Sequence, residues 1–260
     1  MKYIINVVGM GPGDENMMTV EAQNALDESD LIVGYGVYLE LLSKRYKNKE
    51  FYQTPMKQEE KRCRYCFEKA MEKKKVSLVC SGDSGIYGMA SLMYEIGRDF
   101  PLCELRIIPG LTAASSGAAL LGAPLNHDFC VISLSDLLTP WDKIEKRLRA
   151  ACEADFVIAI YNPGSHKRTD YLSRACDIML EIIEENRLCG YAFNIGREGT
   201  KTGVCTLKEL RDKEVNMFTT VFIGNSTTKL IDGKLVTKRG YPVETEHKLE
   251  DEKNNDSTEG

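Results

Sequence analysis

The sequence predicts an α/β protein with a parallel-rich sheet in its first half, a mixed sheet in its second half and a ligand cleft between them. In the first half, short apolar runs alternate with helical patterns, which is typical of right-handed βαβ units. In the second half, closely spaced late strands without long helices between them indicate antiparallel pairing. Glycine-rich turns at 9–14 and 81–88 each follow an apolar run, at the point where open α/β sheets form ligand crevices.

The first half of the chain, residues 1–115, is expected to form one α/β domain. Strands are predicted at 3–8, 31–33, 76–80 and 105–108, with a further short strand at 51–56. Helices are predicted between them, at 21–27, 37–47, 60–73 and 89–99.

The second half, residues 116–242, is expected to form the other α/β domain. The stretch 111–122 is rich in alanine, serine and glycine and suits a closely packed helix near the domain boundary. Strands are predicted at 129–134, 156–161, 191–195, 203–206 and 219–223, helices at 141–151 and 168–185, and a last hairpin at 229–231 and 234–237. Residues 243–260 are polar and charged without apolar periodicity, which predicts a disordered tail.

Composition limits the classes of partner. The 260 residues carry a formal net charge of −5, so the surface offers no general attraction for nucleic acid or an anionic membrane. We find neither a secretory signal nor a membrane-length apolar run. Nine cysteines, scattered and odd in number, indicate reduced thiols and a cytoplasmic location.

Cys63 and Cys66 are the one close pair of thiols. A zinc or iron–sulfur site would need a second pair or neighbouring histidines, and none is evident in the sequence. We therefore expect no metal site, and interpret the pair as two exposed thiols on a helix.

The two glycine-rich turns differ in how strongly they indicate a ligand site. The turn at 9–14 has two interpretations, a dinucleotide fingerprint or a plain strand-to-helix turn, and Pro12 and the glycine spacing argue against the fingerprint. The turn at 81–88 is better evidence for a ligand, because its glycines open the backbone around Asp83. Asp83 either meets a ligand hydroxyl or caps the following helix.

Other polar residues follow predicted strands and are candidates for the same crevice. Thr112 either caps its helix or faces the crevice, and Ser133 and Ser135 place hydroxyls next to Asp136, which is alternatively a turn cap. Five basic residues are interpreted either as solvated surface charges or as receptors for ligand carboxylates. They are Lys167, Arg168, Arg197, Lys201 and Arg239.

Familiar catalytic motifs are missing from the sequence. It has no Gly-x-Ser-x-Gly elbow and no phosphate-binding loop of the Gly-x-x-x-x-Gly-Lys type. Histidine occurs three times, at 127, 166 and 247. The candidate general acids and bases are therefore Asp14, Asp83, His127 and Asp136.

The motifs at 9–14, 81–88 and 109–114 resemble those of the tetrapyrrole methylases, S-adenosylmethionine-dependent enzymes of cobalamin and sirohaem synthesis. The resemblance extends over about residues 3–241. Within the family, 121–129, 132–141, 161–163 and 237–241 resemble the precorrin-3B C(17)-methyltransferase branch, whose anaerobic counterpart acts on cobalt-factor III. Asn126, Leu111 and Gly164 depart slightly from that pattern.

The resemblance implies the tetrapyrrole methylase fold, a homodimer and S-adenosylmethionine bound in the cleft. It also implies methylation of the macrocycle at C-17, coupled to ring contraction. The cofactor residues it implies are Pro12, Gly82, Asp83, Ser84, Ile86, Tyr87, Thr112, Ala113, Leu134, Asn162, Asn194 and Thr219. Acid or base roles in contraction are assigned to Asp14, His127 or Asp136. The five basic residues above are assigned to binding the substrate's carboxylates, and Ser133 and Ser135 are assigned to substrate binding as well.

Two other functions stay open at this point. The first is another tetrapyrrole methylase, such as a uroporphyrinogen or different precorrin methyltransferase, against which the segment 133–141 argues. The second is an adenine-nucleotide-binding module without catalysis. The residues also leave open whether the substrate contains cobalt.

Overall fold

The computed structural model describes residues 2–165 and 167–242. Their strands form two five-stranded sheets and a small three-stranded sheet. The predicted disordered tail at 243–260 and His166 lie outside the described residues. The predicted α/β class, with one parallel-rich and one mixed sheet, is confirmed.

The first sheet is entirely parallel and has the order β3-β2-β4-β1-β5. Its strands are β1 (Tyr3–Gly9), β2 (Leu31–Tyr35), β3 (Glu50–Thr54), β4 (Val76–Cys80) and β5 (Cys103–Ile108). The connecting helices are α1 (Val20–Asp27), α2 (Gly36–Ser43), α3 (Glu59–Met71) and α4 (Ala90–Gly97). Because all five strands run the same way, the loops that follow them meet at one edge of the sheet.

Helices cover both faces of this sheet, which is why its central strands are apolar at nearly every position. All five residues of β4 are buried. Phe67 of α3 and Met93 of α4 pack in one core, and Leu26 of α1 and Leu39 of α2 pack in the other.

The second sheet is mixed, with the order β10-β9-β11-β8-β7. The parallel pair is β7–β8, and the other pairs are antiparallel, as the spacing of the late strands predicts. Its strands are β7 (Phe129–Ser133), β8 (Val157–Tyr161), β9 (Leu188–Phe193), β10 (Lys201–Thr206) and β11 (Thr219–Ile223). The short sheet contains β6 (Gly122–Ala123), β12 (Thr228–Ile231) and β13 (Lys234–Thr237). The helices are α5 (Ala113–Leu121), α6 (Trp141–Glu153), α7 (Tyr171–Leu180) and α8 (Leu207–Leu210).

The small residues of α5 allow it to lie close to the second sheet. Ala114 and Ala118 pack in a core with Phe222 of β11. A Cβ on Gly117 would lie 3.0 Å from Cζ of Phe222, so a larger residue there would force the helix away from the sheet. The chain thus passes from the first sheet to the second through residues 109–112, immediately before α5.

The predicted exposure of Cys63 and Cys66 is wrong. Both lie on α3, but they are fully buried against the first sheet. Cys63, Cys66, Phe67 and Ala70 recur at helical spacing and form the apolar face of α3, so the two thiols pack as small apolar side chains.

Element boundaries differ from the predictions mainly in the second half. The helix predicted at 168–185 is the shorter α7, and the strand predicted at 191–195 is β9, which begins and ends earlier. The short elements β6 and α8 are not predicted by the sequence. α8 is one turn held by a capping box between Thr206 and Glu209.

Candidate active site

A cavity lies where the loops at one edge of the first sheet face strand ends of the second. Its first-sheet wall comes from the loops after β1, β4 and β5, together with α2. Its second-sheet wall comes from the ends of β8 and β9 and the beginning of β11. The lining residues are Pro12, Tyr38, Ser81, Gly82, Asp83, Ile86, Tyr87, Thr112, Ala113, Tyr161, Asn162, Asn194, Ile195, Arg197, Met217, Phe218, Thr219 and Thr220.

The loop after β4 is held against the loop after β1 by a pair of backbone hydrogen bonds. The Gly82 amide donates to the Gly11 carbonyl at 2.7 Å, and the Gly11 amide donates to the Gly82 carbonyl at 3.1 Å. Both glycines have positive φ, 75° for Gly11 and 69° for Gly82, a conformation that glycine adopts without steric cost. This pairing brings Pro12 to the wall of the cavity.

Asp83 organises two loops at once. Its Oδ1 accepts from the amides of Gly85 at 2.7 Å and Ile86 at 3.1 Å, and its Oδ2 accepts from the Gly110 amide at 2.9 Å. The carboxylate therefore fixes its own loop and ties it to the loop after β5. Asp83 also lines the cavity, so the two sequence interpretations, local cap and ligand contact, are compatible.

Hydroxyl groups tie the first half of the chain to the second around the cavity. The Tyr161 hydroxyl accepts from the Ala114 amide at 2.6 Å and is hydrogen-bonded to Thr112 Oγ1. The Tyr87 hydroxyl donates to the Val131 carbonyl and accepts from the Ser133 amide, both at 3.1 Å. Since the Thr112 side chain does not cap α5, the Tyr161 hydroxyl satisfies the partly buried Ala114 amide at the beginning of the helix.

Arg197 carries a positive charge into the same wall. Its Nε donates to the Pro12 carbonyl at 3.1 Å, and the guanidinium lies 5.0 Å from the ring centroid of Phe218. Within the described ranges no carboxylate lies within 4.0 Å of it. Burial lowers the pKa of Arg197, and it raises the pKa values of the Tyr38, Tyr87 and Tyr161 phenols, which are therefore neutral near pH 7.

A polar chain leads from the cavity along the end of β7, and we call its members Ser133, Ser135, Asp136, Arg168 and Tyr171 the polar shelf. Asn162, which lines the cavity, donates from Nδ2 to Ser133 Oγ at 2.9 Å. Arg168 Nη1 donates to Ser135 Oγ at 2.8 Å and lies 3.5 Å from Asp136 Oδ1. Asp136 also accepts a hydrogen bond from Tyr171. The shelf thus extends the site beyond the cavity.

Most of the residues predicted to bind the cofactor are brought together at the cavity. They are Pro12, Gly82, Asp83, Ile86, Tyr87, Thr112, Ala113, Asn162, Asn194 and Thr219, and Arg197 lies among them. Two others do not line the cavity. Ser84 is fully buried, and its hydroxyl donates to the Ile108 carbonyl at 3.1 Å. Leu134 is fully buried in the core between the second sheet and its helices.

Of the predicted acids and bases, Asp83 lines the cavity, and Asp14, His127 and Asp136 lie apart from it. Asp14 caps the short helical turn Glu15–Met17 and accepts from the Asn16 amide at 2.8 Å. His127 is exposed, and its Nδ1 accepts from the Asp128 amide. Asp136 lies on the polar shelf.

Three of the predicted basic residues also lie apart from the cavity. Lys167 and Arg239 are exposed, and Lys201 begins β10 at a different surface of the second sheet.

Several lining residues were not singled out from the sequence. Tyr38 lies on α2, and Met217 and Phe218 precede β11. These three residues enter the cavity only through the packing of the two sheets, which no local pattern reports. Tyr161, by contrast, belongs to the motif 161–163 at the end of a predicted strand, although no role was assigned to it from the sequence.

Among residues 2–165 and 167–242, no group of three or more His, Cys, Asp or Glu side chains could hold a metal ion. No helix there is both long and apolar enough to cross a membrane.

Comparisons with known proteins agree with this architecture. The family model of Tetrapyrrole (Corrin/Porphyrin) Methylases matches residues 5–211. A protein of Salmonella typhimurium strain LT2, named probable cobalt-factor III C(17)-methyltransferase, is 44% identical over 241 residues, covering 92% of this chain and 100% of the relative. This chain belongs to the tetrapyrrole methylase family, and the resemblance stated from the motifs is confirmed.

Solved structures extend the comparison. The crystal structure of the methyltransferase CobJ superposes with a TM-score of 0.84 at 36% identity, covering 92% of this chain and 100% of that one. The uroporphyrin-III C-methyltransferase of Thermus thermophilus, solved with S-adenosylhomocysteine, has a TM-score of 0.67 at 18% identity and covers 85% of this chain and 96% of that one. At that identity the second likeness shows the fold alone.

Proposed function

We propose that this chain methylates C-17 of cobalt-factor III or precorrin-3B from S-adenosylmethionine, with contraction of the ring, in cobalamin biosynthesis. One observation carries the proposal: in a member of this family, the glycine-rich loop of one sheet faces strand ends of the other across a single cavity. The full-length relative named for this reaction supports the choice of substrate.

The residues around the cavity suit a folded S-adenosylmethionine. Asp83 Oδ2 accepts one backbone hydrogen bond, which leaves lone-pair capacity for a ribose hydroxyl. A Cβ on Gly82 would lie 3.8 Å from Thr112 Cα, so glycine keeps open the space between the two loops. The rings of Tyr161 and Phe218 offer flat apolar surfaces, and Asn162, Asn194 and Thr219 offer polar groups for an adenine.

The chain's own contribution to the reaction is alignment and a fixed electrostatic environment. When bound, S-adenosylmethionine supplies an electrophilic methyl group for in-line displacement by an electron-rich ring carbon, so the protein needs no nucleophile. The cavity walls offer neutral phenols in fixed positions.

We assign proton transfer during ring contraction to a residue of the polar shelf. Of the candidates Asp14, His127 and Asp136, the last is connected to the cavity through Arg168, Ser135 and Ser133. We propose that Asp136 moves the proton and that Arg168 and Arg197 receive substrate carboxylates. Lys167, Lys201 and Arg239 lie farther out, where they would add only long-range attraction.

We also propose two domains, a homodimer and a cytoplasmic location. The proposed domains are 1–115 and 116–242, as the sequence predicts, and the packing of α5 on the second sheet supports a boundary close to the beginning of that helix. The nine free thiols suit a reducing compartment. The homodimer follows from the resemblance, and light scattering on the purified protein tests it.

Binding and turnover together test the proposed function. Calorimetry should show S-adenosylhomocysteine binding in preference to ATP. Incubation with cobalt-factor III and S-adenosylmethionine should give a singly methylated, lactone-containing product by mass analysis. A product from uroporphyrinogen instead would favour another methylase of the family. Adenine binding without any methylated product would favour the non-catalytic module.

A further inference from the structure

A second cavity opens beside the first, at the carboxyl ends of β2, β3 and β4. The two cavities are adjacent, because four residues line both: Tyr38, Ser81, Tyr87 and Met217. Tyrosines and methionines contribute much of the second cavity's lining: Tyr35, Tyr38, Tyr87, Met56, Met89 and Met217. A flat apolar ligand placed there would lie next to the proposed cofactor site.

The second cavity is also lined by Arg62, a buried arginine of α3 that is 3% exposed. Its Nε donates to Thr54 Oγ1 at 2.9 Å, and its Nη2 donates to the carbonyls of Thr54 and Pro55, both at 3.2 Å. Nη1 contacts only the Met89 sulfur, at 3.4 Å, among the described residues. Thioether sulfur is a weak acceptor, so this edge of the guanidinium retains strong donor capacity.

The lack of a counter-ion distinguishes Arg62 from a buried arginine with a structural role. Arg187 is 7% exposed and pairs with Glu184 at 2.7 Å and Asp155 at 3.1 Å. No carboxylate of the described chain lies within 4.0 Å of the Arg62 guanidinium. A buried charge without a partner is costly, and a free donor edge on a cavity wall provides a place for an anion.

We propose that Arg62 binds a carboxylate side chain of the tetrapyrrole and thereby positions the macrocycle over the tyrosines and methionines of the second cavity. This inference rests on the proposed function and adds a residue that the sequence analysis did not identify. Nη1 donates to the carboxylate while Nε and Nη2 keep the guanidinium fixed to the end of β3. The substrate carboxylate supplies the missing counter-ion.

Glu59 provides an independent electrostatic check. It lines the same cavity, and its carboxylate accepts from the Lys57 amide at 3.0 Å. A negative charge there opposes an arriving carboxylate. Removing it should therefore tighten the binding of an anionic ligand without touching Arg62.

The test compares Arg62→Met, Arg62→Lys and Glu59→Gln with the unmodified chain. The probes are cobalt-factor III, followed by fluorescence or absorbance titration, and S-adenosylhomocysteine, followed by calorimetry. Arg62→Met should weaken cobalt-factor III binding about 10- to 100-fold, the usual effect of losing a hydrogen bond to a charged group. Arg62→Lys should recover part of that loss, and Glu59→Gln should tighten binding about twofold or more. S-adenosylhomocysteine affinity should stay within about twofold in all three.

The outcomes separate this inference from the proposed function. If Arg62→Met binds cobalt-factor III as tightly as the unmodified chain, the Arg62 contact is wrong and the methyltransferase assignment stands. Equal loss of both ligands would mean that Arg62 acts through the fold, which also overturns the contact. If Arg62→Met does not fold, unchanged binding by Arg62→Lys and Glu59→Gln overturns it. An unmodified chain that binds S-adenosylhomocysteine but no tetrapyrrole would overturn both proposals.

Discussion

Tyr161 is the residue whose removal tests most sharply how the cavity is held together. Its hydroxyl makes two hydrogen bonds to the cavity wall at the beginning of α5, to Ala114 and Thr112. Tyr161→Phe removes both bonds and leaves a partly buried amide and hydroxyl without that partner. At about 0.5–1.5 kcal/mol each, the free energy of unfolding should fall by about 1–3 kcal/mol. Because Thr112 and Ala113 line the cavity, S-adenosylhomocysteine affinity should fall several-fold as well.

Tyr46 provides the matched control. It is 3% exposed, and its hydroxyl has no hydrogen-bond partner among the described residues. Tyr46→Phe removes the same atom without breaking a bond, so stability should stay within about 0.5 kcal/mol or rise. Urea unfolding followed by circular dichroism measures both variants. Equal effects of the two substitutions would refute the reasoning that the Tyr161 hydroxyl anchors the beginning of α5 at the cavity wall.

Three further predictions concern the site and the core. Asp83→Asn replaces one of the two carboxylate oxygens that accept hydrogen bonds from backbone amides. S-adenosylhomocysteine affinity, measured by calorimetry, should therefore fall about tenfold or more. Unchanged affinity would exclude a role for the Asp83 carboxylate in binding. Arg168→Ala should raise the dissociation constant for the tetrapyrrole but not for the cofactor, whereas the surface substitution Arg174→Ala should change neither. Burial raises the pKa values of Cys63 and Cys176 from 9.0 to about 12, so both stay protonated in the folded chain after the unfolded chain has lost these protons. The free energy of unfolding should thus be insensitive to these thiols below pH 8 and fall as the pH rises above about 9, by on the order of 1 kcal/mol per thiol at pH 10. Cys63→Ala should remove its share in pH-dependent urea unfolding.

The sequence was sufficient for the fold because its signals are local. Apolar runs such as 76–80 report a buried parallel strand, and the late strands report their antiparallel pairing through their spacing. Glycine-rich turns mark where the first sheet's loops open. The sequence alone therefore predicted that the loop 81–88 lies at a ligand cavity.

The sequence was insufficient where a residue's role depends on packing. Cys63 and Cys66 looked like exposed thiols in a charged helix, and their burial follows from the face that α3 turns to the sheet. Arg62 lies on the same helix, and nothing in its local sequence marks it as a site residue. Its burial beside β3, without a carboxylate partner in the described chain, is visible only in three dimensions. Ser84, conversely, belongs to a cavity-lining loop but faces the core.

The central claim is that one cavity between two sheets aligns a methyl donor with a tetrapyrrole. The most direct measurement is incubation of the purified chain with cobalt-factor III and S-adenosylmethionine labelled in its methyl group, followed by mass spectrometry of the product. The account predicts one labelled methyl group, located at C-17 of a ring-contracted product. Recovery of the unlabelled tetrapyrrole, under conditions in which the chain binds both ligands, would contradict it.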